Sequence, residues 1–266
     1  MRKTLVRLLI AFALVFSFAA VAAAGPTING ILKRKELVVG TSATYPPLTF
    51  KTKDGRIQGL EVDLARVIAK AMNVKLRVEV IPFDELIPAL EKKRIDMILS
   101  CMTMTQERNL RIAYVGPYFF SGQSLLMTKD VADGIDGPED VDNPDFSIAL
   151  PRETTTEKLA RDRFPKATFV TVKSTDEAVV LLKAKSVKAL MADYPYAVVM
   201  AIRYRDQGFV SKPPFNREHI GVGIRQDDLL LMNWLDNFIY MIKNDGSLDR
   251  LMQHWLKDAS WIADLP

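Results

Sequence analysis

The chain has 266 residues, of which 36 are basic and 32 acidic, giving a net charge of +4. No basic cluster recurs with aromatic residues between its members, so the sequence does not predict a nucleic-acid partner. A single cysteine, Cys101, excludes an intrachain disulfide. Only two histidines, without paired His or Cys spacing, argue against a zinc or haem site. We therefore expect no metal and no cofactor.

Residues 1–24 have the features of a cleavable secretory signal peptide. Three basic residues precede an uncharged run of 17 residues, which ends in Ala22-Ala23-Ala24 before Gly25. That run is short for a membrane span and turns into alanine where a span should stay strongly apolar. Without the leader, 33 basic residues face 32 acidic ones, so the exported chain is nearly neutral. We expect a soluble periplasmic protein.

Residues 36–100 alternate between strand-like and helix-like patterns. Apolar residues at helical spacing predict a helix between Glu61 and Asn73. Asp84 is predicted to cap a second helix, which carries Leu86 and Leu90. Strands are predicted at 36–41, 76–80 and 97–99. This order favours a parallel sheet with helices on both faces.

A long extended segment separates two similar halves of the chain. Residues 114–127 are mostly apolar and too long for one strand, so we predict that they cross between two lobes. The pattern then repeats, with helices that begin near Thr155 and Ser174 after capping-box residues. Strands of this second half are predicted at 146–150, 167–172 and 188–192.

The C-terminal part is predicted to return to the first lobe. Residues 219–225 look like a second crossing, followed by helices at 228–243 and 247–256. The predicted fold is α/β, with two lobes that are each a mostly parallel sheet flanked by helices, joined by two crossing segments. Lobe one takes residues 25–122 and 217–266, and lobe two takes residues 123–216.

A polar stretch follows the strand that ends at Leu99. Ser100 and Thr103 carry hydroxyls, and Arg108 offers a planar fork of donors suited to a carboxylate. Ligands of open α/β sheets bind beyond the carboxyl ends of the strands. The stretch therefore predicts a small carboxylic acid as ligand, and a solvated Arg108 on a polar loop fits these residues equally well.

Short motifs recur in a fixed order through the chain. They are Val39–Thr41 with Tyr45–Pro47, Gly59–Ala65, Phe83–Leu90, Asp96–Arg108, Thr154–Glu157, Ala189–Asp193 and Gly221–Arg225. Together they resemble the family-3 periplasmic solute-binding proteins, specifically the polar amino-acid receptors of ABC importers. The resemblance implies a type II periplasmic-binding-protein fold, an amino-acid ligand, a permease of the inner membrane as partner, and a monomer.

The resemblance also implies how the ligand's charged groups are held. Arg108 would bind the α-carboxylate, together with the backbone donor of Thr103. The Thr155 region would add donors from a helix N-terminus, which favours an anion. Asp193 would bind the α-ammonium with the help of Ser100; the alternative is that Asp193 only caps a helix.

Three further residues complete the implied site. Tyr45 and Phe83 would hold the ligand's side chain between aromatic walls; the alternative is that both are core residues. The backbone of Cys101 would assist at the α-ammonium. Cysteine stands here where Ser or Gly is common, and both a reactive thiol and a small buried side chain are compatible with the sequence.

Two other departures from the family pattern bear on selectivity. Glu153, preceded by Pro151 and Arg152, stands where the family usually has glycine. Ser42 stands where receptors for lysine, arginine or histidine usually have an aspartate. A buried cationic side chain needs a carboxylate partner, so we expect neutral amino acids to bind better than lysine or arginine.

Two other functions remain open for this fold. Exported cyclohexadienyl dehydratases look similar over the whole length, but their general acid is a glutamate at the position of Tyr196, and tyrosine is a poor acid at neutral pH. A sensory receptor lobe is the second alternative, although no kinase, transmembrane or coiled-coil segment follows Pro266. We therefore expect a free-standing binding protein without catalytic residues.

Overall fold

The computed structural model describes residues 25–266, so the predicted signal peptide at 1–24 lies outside the described residues. The strands of this range are β1 (Glu36–Thr41), β2 (Thr44–Tyr45), β3 (Thr49–Lys51), β4 (Ile57–Gln58), β5 (Lys75–Val80), β6 (Met97–Ile98), β7 (Ala113–Ser121), β8 (Gln123–Thr128), β9 (Ser147–Pro151), β10 (Thr168–Val172), β11 (Ala189–Asp193), β12 (Phe209–Ser211) and β13 (Glu218–Ile224). The helices are α1 (Pro26–Arg34), α2 (Leu60–Ala71), α3 (Leu86–Glu91), α4 (Gln106–Asn109), α5 (Lys129–Ala132), α6 (Pro138–Val141), α7 (Thr155–Arg163), α8 (Thr175–Lys183), α9 (Tyr194–Arg203), α10 (Leu229–Asn244) and α11 (Ser247–Met252). None of the helices in residues 25–266 combines the length and the apolar character that a bilayer crossing requires.

Ten of the thirteen strands form two five-stranded sheets, and β2, β3 and β4 form a small antiparallel sheet. This arrangement confirms the predicted α/β class. The first sheet has the order β5-β1-β6-β13-β7 and the second has the order β10-β9-β11-β8-β12. In each sheet, one strand runs against the other four: β13 in the first and β8 in the second. All strands of the first sheet fall within the predicted lobe one, and all strands of the second within lobe two. The residue boundaries of the lobes stay a prediction.

Two chain segments connect the sheets side by side. The first runs from β7 through Gly122 into β8, as predicted for residues 114–127. The second crossing was placed wrongly: residues 219–225 belong to β13 within the first sheet, and the return lies between β12 and β13. The two segments touch at Gly122, where an added Cβ would lie 2.1 Å from the backbone oxygen of Asn216. A side chain at Gly122 would therefore push the two connections apart.

Helices cover both faces of the first sheet. Successive side chains of β1 point to opposite faces, so neighbouring residues of this strand pack against different helices. Val39 packs in one core cluster with Leu64 of α2. Its neighbour Val38 packs in a separate cluster with Leu86 and Leu90 of α3. This two-sided burial explains why β1 reads as a continuous apolar run and leaves only the strand ends free for polar chemistry.

The predicted cap at Asp84 is wrong. A short 3₁₀ turn over Phe83–Glu85 precedes α3, and neither helix start is capped by a side chain. The Asp84 carboxylate instead accepts a hydrogen bond from Arg152 of the other lobe at 3.3 Å. The competing partner lies far away in sequence, so local spacing could not reveal it.

Candidate functional site

A cavity lies between the two lobes. The structure brings all eight predicted binding residues to its wall: Tyr45, Phe83, Ser100, Cys101, Thr103, Arg108, Thr155 and Asp193. They come from both lobes, at the carboxyl ends of strands and at the start of α7. This is the position at which ligands bind in open α/β sheets. That these residues bind a ligand stays a prediction.

The carboxyl ends of β1 and β6 bring a row of hydroxyls together. The Ser42 N–H donates to the Ser100 hydroxyl at 2.9 Å, and that hydroxyl lies 3.2 Å from the Ser42 hydroxyl. Thr44 donates to the Ser42 hydroxyl at 3.3 Å. Because β1 and β6 are hydrogen-bonded neighbours, these short polar side chains meet at one edge of the sheet.

Arg108 is held in place by the residues around it. The Thr105 hydroxyl caps α4 by accepting from the Arg108 N–H at 3.1 Å. The Arg108 guanidinium donates from Nη1 to the Thr103 carbonyl at 3.1 Å and lies 5.4 Å from the centroid of the Phe83 ring. None of the ion pairs within residues 25–266 includes Arg108. Its remaining donors are therefore available to an anion in the cavity.

Asp193 ends β11 and is only 7% exposed. Its carboxylate accepts from the hydroxyls of Ser121 and Tyr45, both at 2.8 Å, and from the Cys101 thiol at 3.7 Å. It makes no capping bond to α9, so the alternative of a mere helix cap is wrong. Burial, followed by the nearby carboxylate of Glu218, raises the pKa of Asp193 to about 6. A cation at this carboxylate would offset that unfavourable environment.

Tyr45 and Phe83 line the cavity and are half-buried, and each ring also packs against a hydrophobic core cluster. Their role as walls for a ligand stays a prediction. Tyr45 belongs to lobe one, yet its hydroxyl both donates to the Asp193 carboxylate and accepts from the Asp193 N–H in lobe two. Its ring stacks on Tyr196, with centroids 4.9 Å apart. Tyr45 therefore joins the two lobes directly beside Asp193.

Residues 37–258 match the family model of the bacterial extracellular solute-binding proteins, family 3. The chain belongs to this family. This solute-binding protein is 26% identical to the L-cystine-binding protein TcyJ of Escherichia coli (strain K12), over 86% of this chain and 85% of that protein.

Two solved structures extend the similarity to the fold. The ancestral amino acid-binding protein AncCDT-1, a precursor of cyclohexadienyl dehydratase, is 35% identical, with a TM-score of 0.81 over 86% of this chain and 99% of that chain. A second structure of AncCDT-1, described as an ancestral cationic amino acid solute binding protein, is 36% identical, with a TM-score of 0.72 and the same coverage. These similarities confirm the type II periplasmic-binding-protein fold.

Sequence reasoning missed two polar residues of this solute-binding protein that lie behind the cavity wall. Glu218 is 7% exposed and accepts from the hydroxyls of Thr103 at 2.6 Å and Thr155 at 3.2 Å, which come from different lobes. Ser121, the last residue of β7 before the first crossing, donates to Asp193. Both residues flank the connections between the lobes, and that position was the only signal that could have indicated them.

Cys101 has a backbone conformation that non-glycine residues rarely adopt, with φ at +50°. Its N–H donates at 2.6 Å to Glu61, whose carboxyl also accepts from the Tyr118 hydroxyl. Burial raises the pKa of Glu61 to about 7 and holds the pKa of the Cys101 thiol well above its usual range. The structure therefore favours the small buried side chain over the reactive thiol, because the thiolate is disfavoured.

Glu153, which stands where the family usually has glycine, keeps a backbone geometry that favours glycine. Its φ is +59°, which explains why glycine suits this position in the family. The Glu153 side chain is exposed and lies outside the cavity wall, whereas Arg152 and Lys173 line the cavity. Tyr196, at the position of the dehydratases' acid, is fully buried and does not line the cavity.

Proposed function

We propose that the protein captures an amino acid between its two lobes and delivers it to an ABC permease. The observation that carries the proposal is the pairing of opposite charges on one cavity. Arg108, without an ion-pair partner in residues 25–266, lies on lobe one, and the buried Asp193 carboxylate lies on lobe two. An α-amino acid carries the two complementary charges on adjacent carbons. The names of the relatives, which include a cystine-binding protein and an amino acid-binding protein, support this substrate class.

Closure of the lobes is the step that makes capture specific. The α-carboxylate would bind Arg108 and the backbone of Thr103, and the α-ammonium would bind Asp193. A ligand that bridges the lobes stabilises the closed form, because only closure satisfies both of its charges. The direct contacts between Tyr45 and Asp193, and between the Thr175 hydroxyl and the Thr44 carbonyl at 3.1 Å, fit such a closed arrangement.

The cellular setting is part of the proposal. The leader at 1–24 would direct export to the periplasm, where the closed, liganded monomer would meet the permease. The family consists of extracellular solute-binding proteins, which supports this location. Calorimetric titration of the exported protein with single amino acids tests the proposal. Failure of all twenty common amino acids and cystine to bind would contradict it.

A cyclohexadienyl dehydratase is the alternative that the similarity to AncCDT-1 raises. We propose that this chain has no such activity. Loss of water needs a proton donor at the leaving hydroxyl, and Tyr196 is fully buried, with a pKa held well above its usual value by burial. Asp193, the buried carboxyl on the cavity wall, is already bonded by three donors from its own protein.

A further inference from the structure

The cavity wall carries more charge than an amino acid's backbone groups would use. Five charged side chains line it: Asp84, Arg108, Arg152, Lys173 and Asp193. If Arg108 and Asp193 bind the α-carboxylate and the α-ammonium, the side-chain end of the ligand faces the other three. Two of those are cations and one is an anion, so this part of the wall has a net positive charge.

Arg152 is placed to neutralise the single anion of this group. It follows β9, and its N–H donates at 3.0 Å to the carbonyl of Val172, the last residue of the neighbouring β10, which Lys173 follows directly. From lobe two, its guanidinium donates from Nη2 to the Asp84 carboxylate of lobe one at 3.3 Å. None of the ion pairs within the described chain includes Lys173.

We infer that Arg152 is a specificity-determining residue. Its guanidinium pairs with the Asp84 carboxylate across the cleft, so that this carboxylate is not available to a cationic ligand side chain, and neutral or acidic amino acids bind in preference. This inference rests on the proposed function and names the substrate class of the same site. A lysine or arginine ligand would have to displace Arg152 from Asp84 and would still face Lys173. A neutral ligand side chain leaves the Arg152–Asp84 pair intact as a contact between the lobes. An acidic ligand side chain would in addition be attracted by the positive charge of Lys173.

Arginine and citrulline are the probes that isolate charge, because citrulline replaces the guanidinium by a neutral group of nearly the same shape. Calorimetry would measure both on the wild type and on Arg152→Gln. The control is Arg250→Gln, an exposed arginine of α11 that bonds only to its own segment. Arg152 is about half exposed, so its replacement should leave the fold intact.

We expect Arg152→Gln to raise the affinity for arginine at least about fivefold relative to citrulline, the size of a partly screened charge contact. Adding Asp84→Asn should cancel that gain, since it removes the freed carboxylate. An arginine affinity that Arg152→Gln improves no more than Arg250→Gln overturns the inference, whether or not citrulline binds. A wild-type protein that binds arginine or lysine more tightly than every neutral amino acid also overturns the inference. Either result leaves the proposed function standing, whereas a wild type that binds no amino acid overturns both.

Discussion

Replacing Arg108 by alanine should abolish amino-acid binding while leaving the fold intact. The guanidinium is held by the Thr103 carbonyl and the Phe83 ring, with no carboxylate paired to it within residues 25–266. Loss of a charge-assisted contact that leaves a carboxylate unpaired costs on the order of 3 kcal/mol or more. That corresponds to a rise in Kd of roughly 100-fold or more.

The cost to stability should be much smaller than the cost to binding. Alanine removes one hydrogen bond to a carbonyl and one cation–π contact, each worth about 1 kcal/mol. Urea denaturation of the ligand-free protein would measure this loss. Arg108→Lys should recover little of the affinity, since an ammonium keeps the charge but lacks the planar fork.

Calorimetric titration with the tightest-binding amino acid is the assay. The matched control is Arg111→Ala, three residues along the chain, whose exposed guanidinium pairs with Glu91 instead. An exposed pair of this kind contributes at most about 1 kcal/mol to stability, so Arg111→Ala should bind the ligand normally. Wild-type affinity in a folded Arg108→Ala protein would refute the assignment of the α-carboxylate to this residue.

Three further predictions concern pH, catalysis and export. Because burial raises the pKa of Asp193 to about 6 and a ligand ammonium needs the ionised form, affinity should be constant above about pH 7 and fall by up to tenfold per unit below about pH 6. Titration calorimetry across pH 4.5–8 checks this, and a flat profile would remove Asp193 from the ammonium site. No phenylpyruvate should form from prephenate, as followed by absorbance; turnover that Asp193→Asn abolishes would establish the enzyme alternative. Intact mass of periplasmic material should show a chain that begins at Gly25, and recovery of the uncleaved chain in membranes would contradict export as a soluble protein.

Much of the fold could be predicted from local patterns in the sequence. The buried strands β1 and β11 read as apolar runs, and α7 and α8 begin at capping residues whose hydroxyls do accept the expected backbone bonds, Thr154 and Ser174. These signals depend only on neighbours within four residues. They are therefore visible without knowledge of the tertiary structure.

The parts that escaped prediction depend on contacts between distant residues. Asp84 has the right spacing for a cap but pairs with Arg152, 68 residues away on the other lobe. Glu218 precedes the Gly221–Arg225 motif and carries no local sequence signature, yet its carboxylate accepts hydrogen bonds from two hydroxyls of opposite lobes. The second crossing was misplaced because β13 carries no polar side chain from Ile220 to Ile224, and only the sheet order shows that this strand lies within the first sheet.

We propose that one amino acid binds between the lobes, held by Arg108 and Asp193. Native mass spectrometry of the exported protein, purified without denaturation, tests it most directly. We expect one α-amino acid per chain, released on unfolding and missing from Arg108→Ala prepared in the same way. If the native protein releases no amino acid and takes up none when all twenty and cystine are added, the claim is contradicted.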